Sequence, residues 1–191
     1  MRRVSQGLPN SVALQPYAQD ASGPVRSLRA GVAGQADGSL ALSYTLDADL
    51  GRILVPEAAA AARTDELWKH TCFEAFIASG QGSAYCELNF APSSQWAAYS
   101  FDGYRRGMRP LLLTAPPAIR VTRGADRLEL EALVHLGARH DYQPAPGEPL
   151  RIALAAVIED NAGRISYWAL RHAASRPDFH HPGSFTFELA P

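Results

Sequence analysis

Two glutamates and an asparagine are the residues best suited to chemistry in this chain, and they fall on two consecutive segments of period two. In 71–78, alternation puts Phe73, Ala75 and Ile77 on one face and Cys72, Glu74 and Phe76 on the other. In 84–91, Cys86, Leu88 and Phe90 face one way, and Tyr85, Glu87 and Asn89 the other. The two apolar sets must share the core face, because a one-residue slip would invert every side chain. The turn from Ser79 to Ser83 then suggests a register of Ile77 with Ala84, Ala75 with Cys86 and Phe73 with Leu88. In that register Glu74 opposes Glu87, Cys72 opposes Asn89 and Phe76 opposes Tyr85. Like charges directly opposed are destabilising, so either solvent or arginine neutralises them, or the face is built to bind. Carboxylates and an amide beside aromatic rings are what a carbohydrate needs: polar groups for its hydroxyls, rings for its apolar face. The cysteines point to opposite faces, which excludes a disulfide between them.

Other residues extend this candidate site. Trp68 stands in the polar run DELWKH just before a strand and reads as a stacking platform, whereas Trp96 and Trp168 read as core. The loop Tyr104-Arg105-Arg106-Gly107-Met108-Arg109 offers guanidinium forks, either for an acidic ligand or to neutralise Glu74 and Glu87. Near the C-terminus, Arg171, His172, Asp178, His180 and His181 fall within eleven residues. A zinc site there is disfavoured because adjacent histidines in extended chain point apart; a polar loop at the ligand mouth is the preferred reading. Haem would need an axial pair such as Met108 with His70, His172, His180 or His181, and the CxxCH attachment motif is absent. Calcium between the paired glutamates is a further alternative. The expectation is no cofactor, with Trp68, Glu74, Tyr85, Glu87, Asn89, Tyr104, Arg105, Arg106, Arg171 and His172 forming the binding site.

The elements that must hold these residues are strands. Residues 38–47 alternate with Leu40, Leu42, Tyr44 and Leu46 on one face. Segment 96–101 follows a Pro-Ser-Ser turn, and 119–123 with 127–134 form a hairpin around Gly124-Ala125-Asp126. Segments 150–159 and 164–170 pair across Asp160-Asn161-Ala162-Gly163, and 185–189 closes the chain. Short strands with Gly, Pro, Asn and Asp between them are the signature of an all-β sandwich. Only 57–63, behind Pro56, suggests a turn or two of helix; 16–24 and 135–149 read as loops, and 1–24 as an irregular lead-in to a single domain of 191 residues.

The blocks LWKHTCFEAFIA, YCELNFAPSSQWAAYSFDGYRRGM and YWALRHAASRPDFHHPGSFTFEL resemble, in kind and order, the bacterial DOMON-like domain, a group similar to the family 9 carbohydrate-binding modules. The resemblance covers most of the chain from Asp65 onward. It implies a jelly-roll or immunoglobulin-like β-sandwich of about ten antiparallel strands with one or two short helical connectors. It also implies non-catalytic binding of a sugar or, in some relatives, a haem, with Trp68, Glu74, Glu87 and Asn89 in the ligand region.

Composition narrows the partners. Eighteen basic against 19 acidic residues give a formal net charge of −1, which speaks against nucleic acid or an anionic membrane as partner. No apolar run approaches the roughly 18 residues of a membrane span, and MRRVSQGLPN lacks the apolar core of a secretory signal. Two cysteines in such a chain fit a reduced, cytoplasmic setting. The leading expectation is a binding module for a saccharide or sugar-like metabolite. The alternative is a retaining glycoside hydrolase, whose carboxyls stand roughly 5–5.5 Å apart, using Glu74 and Glu87.

Overall fold

Alternating segments pair into two antiparallel sheets in a computed structural model that describes residues 11–18, 23–80, 82–137 and 148–190. The smaller sheet runs β1 (Val12–Ala13), β3 (Val25–Gly34), β4 (Leu40–Ala48), β10 (Arg127–Val134), β9 (Ala118–Arg123). The larger runs β2 (Gln15–Pro16), β12 (Ile165–Ala169), β11 (Leu150–Glu159), β5 (Cys72–Ser79), β6 (Tyr85–Phe90), β7 (Trp96–Phe101), β8 (Arg109–Pro110). A last strand, β13 (Phe187–Leu189), shares with β12 the same side of β11. The result is a β-sandwich. Both outer strands of the larger sheet, β2 and β8, are two residues long and contain a proline, which blunts an edge that would otherwise recruit another strand.

The core between the sheets takes one side of each central strand: Leu28, Ala30 and Val32 from β3; Leu42, Tyr44 and Leu46 from β4; Phe73, Ala75 and Ile77 from β5; Cys86, Leu88 and Phe90 from β6. Tyr44 crosses this layer to donate its hydroxyl to the Glu74 carbonyl at 2.8 Å and packs against Phe73. Strand β3 was not expected from the sequence; its Gly and Ala weaken the strand signal although Leu28, Ala30 and Val32 alternate. Trp96 joins the inter-sheet core, whereas Tyr99, three residues on, faces outward.

Three expectations need correction. Segment 57–63 is not helical. Its backbone instead joins the start of β7, with the Trp96 N–H donating to Ala62, the Thr64 N–H to Trp96 and the Ala59 N–H to Ser93. Seven residues cannot sustain a helix against a ready ladder. The helical turns are three 3-10 pieces elsewhere, Leu50–Arg52, Leu67–Lys69 and Pro182–Ser184. The lead-in expected to be irregular contributes β1 and β2, while 1–10 and 19–22 of it lie outside the described residues, as do 138–147 of the loop expected at 135–149.

The third correction is the register of the central hairpin. Phe73 pairs with Phe90, Glu74 with Asn89, Ala75 with Leu88, Phe76 with Glu87, and Ile77 with Cys86. The strands are slipped by two residues from the expected pairing, so every face is as expected but every partner is different. The cause is the turn: β5 continues to Ser79 against Leu150 of β11, and Gly80 at φ +53° starts a longer connection. Glu74 and Glu87 are therefore diagonal neighbours on one face, not directly opposed. Among the described residues no helix is long and apolar enough to cross a membrane.

Candidate ligand pocket

On its outer face the larger sheet carries Cys72, Phe76, Ala78, Tyr85, Ala97, Tyr99, Phe101, Ala153, Ala155 and Val157, all buried. Among the described residues no second sheet covers them. The turn at 65–70 and the segment 171–185 do, and between these covers a cavity of about 320 Å3 remains. Polar groups enter it from Glu74, Glu87, Arg105, Asp178 and His180, and rings from Trp68, Phe101, Tyr167 and Phe179, with Met108, Val157 and Pro177 completing the wall.

Local structure explains how each reaches the cavity. Trp68 rides on the 3-10 turn Leu67–Lys69, where Leu67 is buried as the anchor and Glu66 adopts φ +64° to begin the turn. Asp65 fixes that turn by accepting from Tyr99 Oη at 2.5 Å and from Arg63 at 2.8 Å, and the Trp68 ring meets Tyr99 edge-on at 5.6 Å. Arg105 stands at φ +51° in the tight loop closed by the Asp102 N–H to Arg106. Its backbone N–H donates to Tyr85 Oη at 3.3 Å, and its guanidinium donates to Asp178 Oδ1 through Nε at 3.2 Å and Nη2 at 2.8 Å. Tyr104 Oη donates to the other Asp178 oxygen. Asp178, 6% exposed, thus ties the 104–105 loop to the C-terminal cover.

Of the expected site residues, Trp68, Glu74, Glu87 and Arg105 line the cavity. Asn89 lies beneath it, donating Nδ2 to Glu87 Oε1 at 2.7 Å. Tyr85 supports the wall by stacking on Phe101 at 4.6 Å and bonding to His180 Nδ1 at 2.8 Å. Tyr104 reaches Asp178 from the rim but is not a wall residue. Arg106 is not part of the cavity wall: its guanidinium folds back over Gly103, where an added Cβ would come within 3.0 Å of Nη2. Adjacent loop residues diverge, so one arginine of the pair faces the pocket and the other leaves it. Arg171 is exposed and outside the wall, and His172 turns away to bond the Gln15 carbonyl at 2.9 Å and meet Tyr17 edge-on.

The sequence reading placed Asp178 and His180 in a polar loop at the mouth, and they are wall residues. Pro177 and Phe179 belong to that same segment, whereas Phe101, Val157 and Tyr167 were missed; for Phe101 and Val157, their place on the Glu74 face of alternating strands was the available signal. Among the described residues no group of three or more His, Cys, Asp or Glu could hold a metal ion. His70 pairs with Glu159 and His181 caps the Pro182–Ser184 turn, whereas Met108 and His180 share the cavity wall.

Electrostatically the cavity floor is unusual. Glu74 is 2% exposed, its Oε1 has no hydrogen-bond partner, and burial first, then the Glu87 charge, push its carboxyl well above the ordinary range. Burial likewise raises Glu87 to about 7, against the lowering pull of the Asn89 bond and of Arg105. Burial and the Arg105 charge depress His180 to about 4, so at neutral pH its ring is uncharged. Tyr85 Oη accepts from the Arg105 N–H and also hydrogen-bonds with His180 Nδ1, while the other ring nitrogen, Nε2, stands 3.8 Å from Glu87 Oε2.

No family model matches the chain, and no curated protein matches it in sequence. Its fold is similar to that of the "putative carbohydrate-binding protein" of Bacteroides uniformis ATCC 8492, at 13% identity and a TM-score of 0.66, over 93% of this chain and 85% of that one. Weaker likenesses, at 12% identity, are to a family 9 carbohydrate-binding module of Caldicellulosiruptor kristjanssonii. Its glucose complex gives a TM-score of 0.45 over 81% and 72% of the two chains, and its cellotriose complex 0.46 over 85% and 73%.

Proposed function

We propose that the chain is a non-catalytic binding module for a saccharide or sugar-like small molecule, seated in the pocket on the outer face of the larger sheet. The observation that carries this reading is the buried Glu74 carboxyl, which lines the cavity while its Oε1 has no partner within the protein. A buried polar atom left without a bond costs about 1–3 kcal/mol, and a ligand hydroxyl would remove that cost. Trp68, half-buried at the mouth, supplies a ring face for the apolar side of a pyranose. A volume of about 320 Å3 suits a small ligand rather than a polymer lying in a groove. The three sequence blocks resemble the DOMON-like relatives of the family 9 modules, and the fold likeness at TM-score 0.66 is to a protein described as a "putative carbohydrate-binding protein".

The hydrolase alternative rested on directly opposed carboxyls at the spacing of a retaining enzyme, and Glu74 and Glu87 are diagonal neighbours instead. Calorimetry against a panel of mono- and disaccharides tests the proposal. Binding in the millimolar to micromolar range should weaken about tenfold or more in Trp68→Ala and in Glu74→Ala. Unchanged affinity in both variants would refute the site, and turnover of chromogenic glycosides that Glu74→Gln abolishes would refute the non-catalytic reading.

A further inference from the structure

Charge balance in the pocket narrows the ligand class. Two carboxyls, Glu74 and Glu87, reach the cavity from β5 and β6, both at most 4% exposed. The nearest cation is Arg105, but its Nε and Nη2 edge is turned to Asp178 rather than to the pair. His180 presents a neutral ring held by Tyr85, and among the described residues no other basic side chain lines the cavity. The remaining neighbours of the pair, Asn89, Tyr44 and the Cys72 thiol, bring no positive charge. The carboxyl pair therefore lacks a cation of its own, and the cavity walls carry four aromatic rings: Trp68, Phe101, Tyr167 and Phe179.

We propose that the ligand brings this cation itself: an amino-substituted sugar, or a sugar-like primary amine, whose ammonium sits between Glu74 and Glu87 while its ring packs against Trp68. Carboxylates beside aromatic faces are the environment an organic ammonium prefers, since the rings attract it electrostatically and the oxygens accept its N–H bonds. The Glu74 carboxyl, which lines the cavity, is such an acceptor. A hard metal cation would want six to eight oxygens, which two carboxyls and an apolar wall do not provide. An acidic sugar fits worse, because it would meet two carboxyls and an arginine fork already filled by Asp178. The inference rests on the pocket being the ligand site, and it specifies the chemistry of the occupant.

Isothermal calorimetry on the full chain at pH 6, in two buffers of different ionisation enthalpy, tests it. The panel is glucosamine, galactosamine and mannosamine, their neutral parent hexoses and N-acetyl forms, and cyclohexylamine as an amine without a sugar. At that pH Glu87, raised to about 7, holds its proton, so a bound ammonium should displace it to solvent. At least one amino sugar should bind about tenfold or more tightly than its neutral parent and its N-acetyl form, with a proton released. Glu74→Gln should erase that preference, and Glu87→Gln provides the same readout should the first variant fail to fold. Neutral hexoses binding as well as the amines would overturn the ammonium seat and leave the saccharide reading standing. Cyclohexylamine binding as tightly as the amino sugars would keep the seat and overturn the saccharide reading. No binding by any member would overturn both, and a preference that survives both glutamine substitutions would overturn the placement between Glu74 and Glu87.

Discussion

Along β5, Phe73, Ala75 and Ile77 point into the sandwich, and Cys72, Glu74 and Phe76 point out of it; all six are at most 2% exposed. Equal burial hides unequal packing. The inner set meets the side chains of the smaller sheet, so apolar surface is matched by apolar surface. The outer set meets a 3-10 turn and a loop, which fit together less closely and leave a cavity bordered by carboxyls. A sheet buried on both sides thus divides its labour: one face supplies free energy from packing, and the other tolerates desolvated charge because the first already holds the fold. Binding sites commonly sit where a rigid scaffold meets such loops.

Three measurements sharpen or break this contrast. Leu88→Ala opens a cavity between the sheets and should lower unfolding free energy by about 2–5 kcal/mol in urea titration. A loss well under 1 kcal/mol would mean that the inner face does not carry the stability assigned to it. The outer face should announce itself in pH dependence instead. A carboxyl whose folded pKa is raised keeps its proton in the native state while the unfolded chain releases it. Stability then falls as pH rises from the ordinary carboxyl value of 4.5 through about 7 for Glu87. Relative to wild type, Glu87→Gln should gain stability across that window, by up to about 1.4 kcal/mol per pH unit at its steepest, and level off above it. Depressed His180 acts in the opposite sense between about 4 and 6.5, but it is common to both proteins. A difference that stays flat with pH would show Glu87 to be solvated. The smallest effect belongs to Arg127→Ala, which removes the exposed 2.7 Å pair with Asp47 at the far sheet and should shift thermal stability by less than about 1 kcal/mol, with no change in ligand binding.

Much of this site was legible in the chain. Period-two alternation in 71–78 and 84–91 correctly placed Glu74, Glu87 and Asn89 together on the face away from the inter-sheet core. The polar setting of Trp68 correctly separated it from Trp96 and Trp168. The register was not legible, because a slip of two residues leaves the alternation unchanged; the extension of β5 along β11 decided it. Neither was the Arg105–Asp178 clamp, which joins residues 73 positions apart through a loop with no periodicity to read. Arg106 and His172 were misplaced for a related reason: in irregular chain, neighbours in sequence have no fixed relation of direction. The alanine run in 57–63 carried helix propensity, but backbone partners at 93–96 outcompeted it.

The two free thiols give this sandwich a pair of internal clocks. Cys72 lies under the loop-covered face and Cys86 between the sheets, and burial pushes both thiols upward, Cys86 to about 12, so neither is reactive in the closed protein. Alkylation can proceed only from opened molecules, and the two sites open by different motions: retreat of a loop for one, parting of two sheets for the other. The ratio of their labelling rates therefore reads out how independently the two layers breathe, and a ligand that slows Cys72 while leaving Cys86 untouched would locate itself without any further structure.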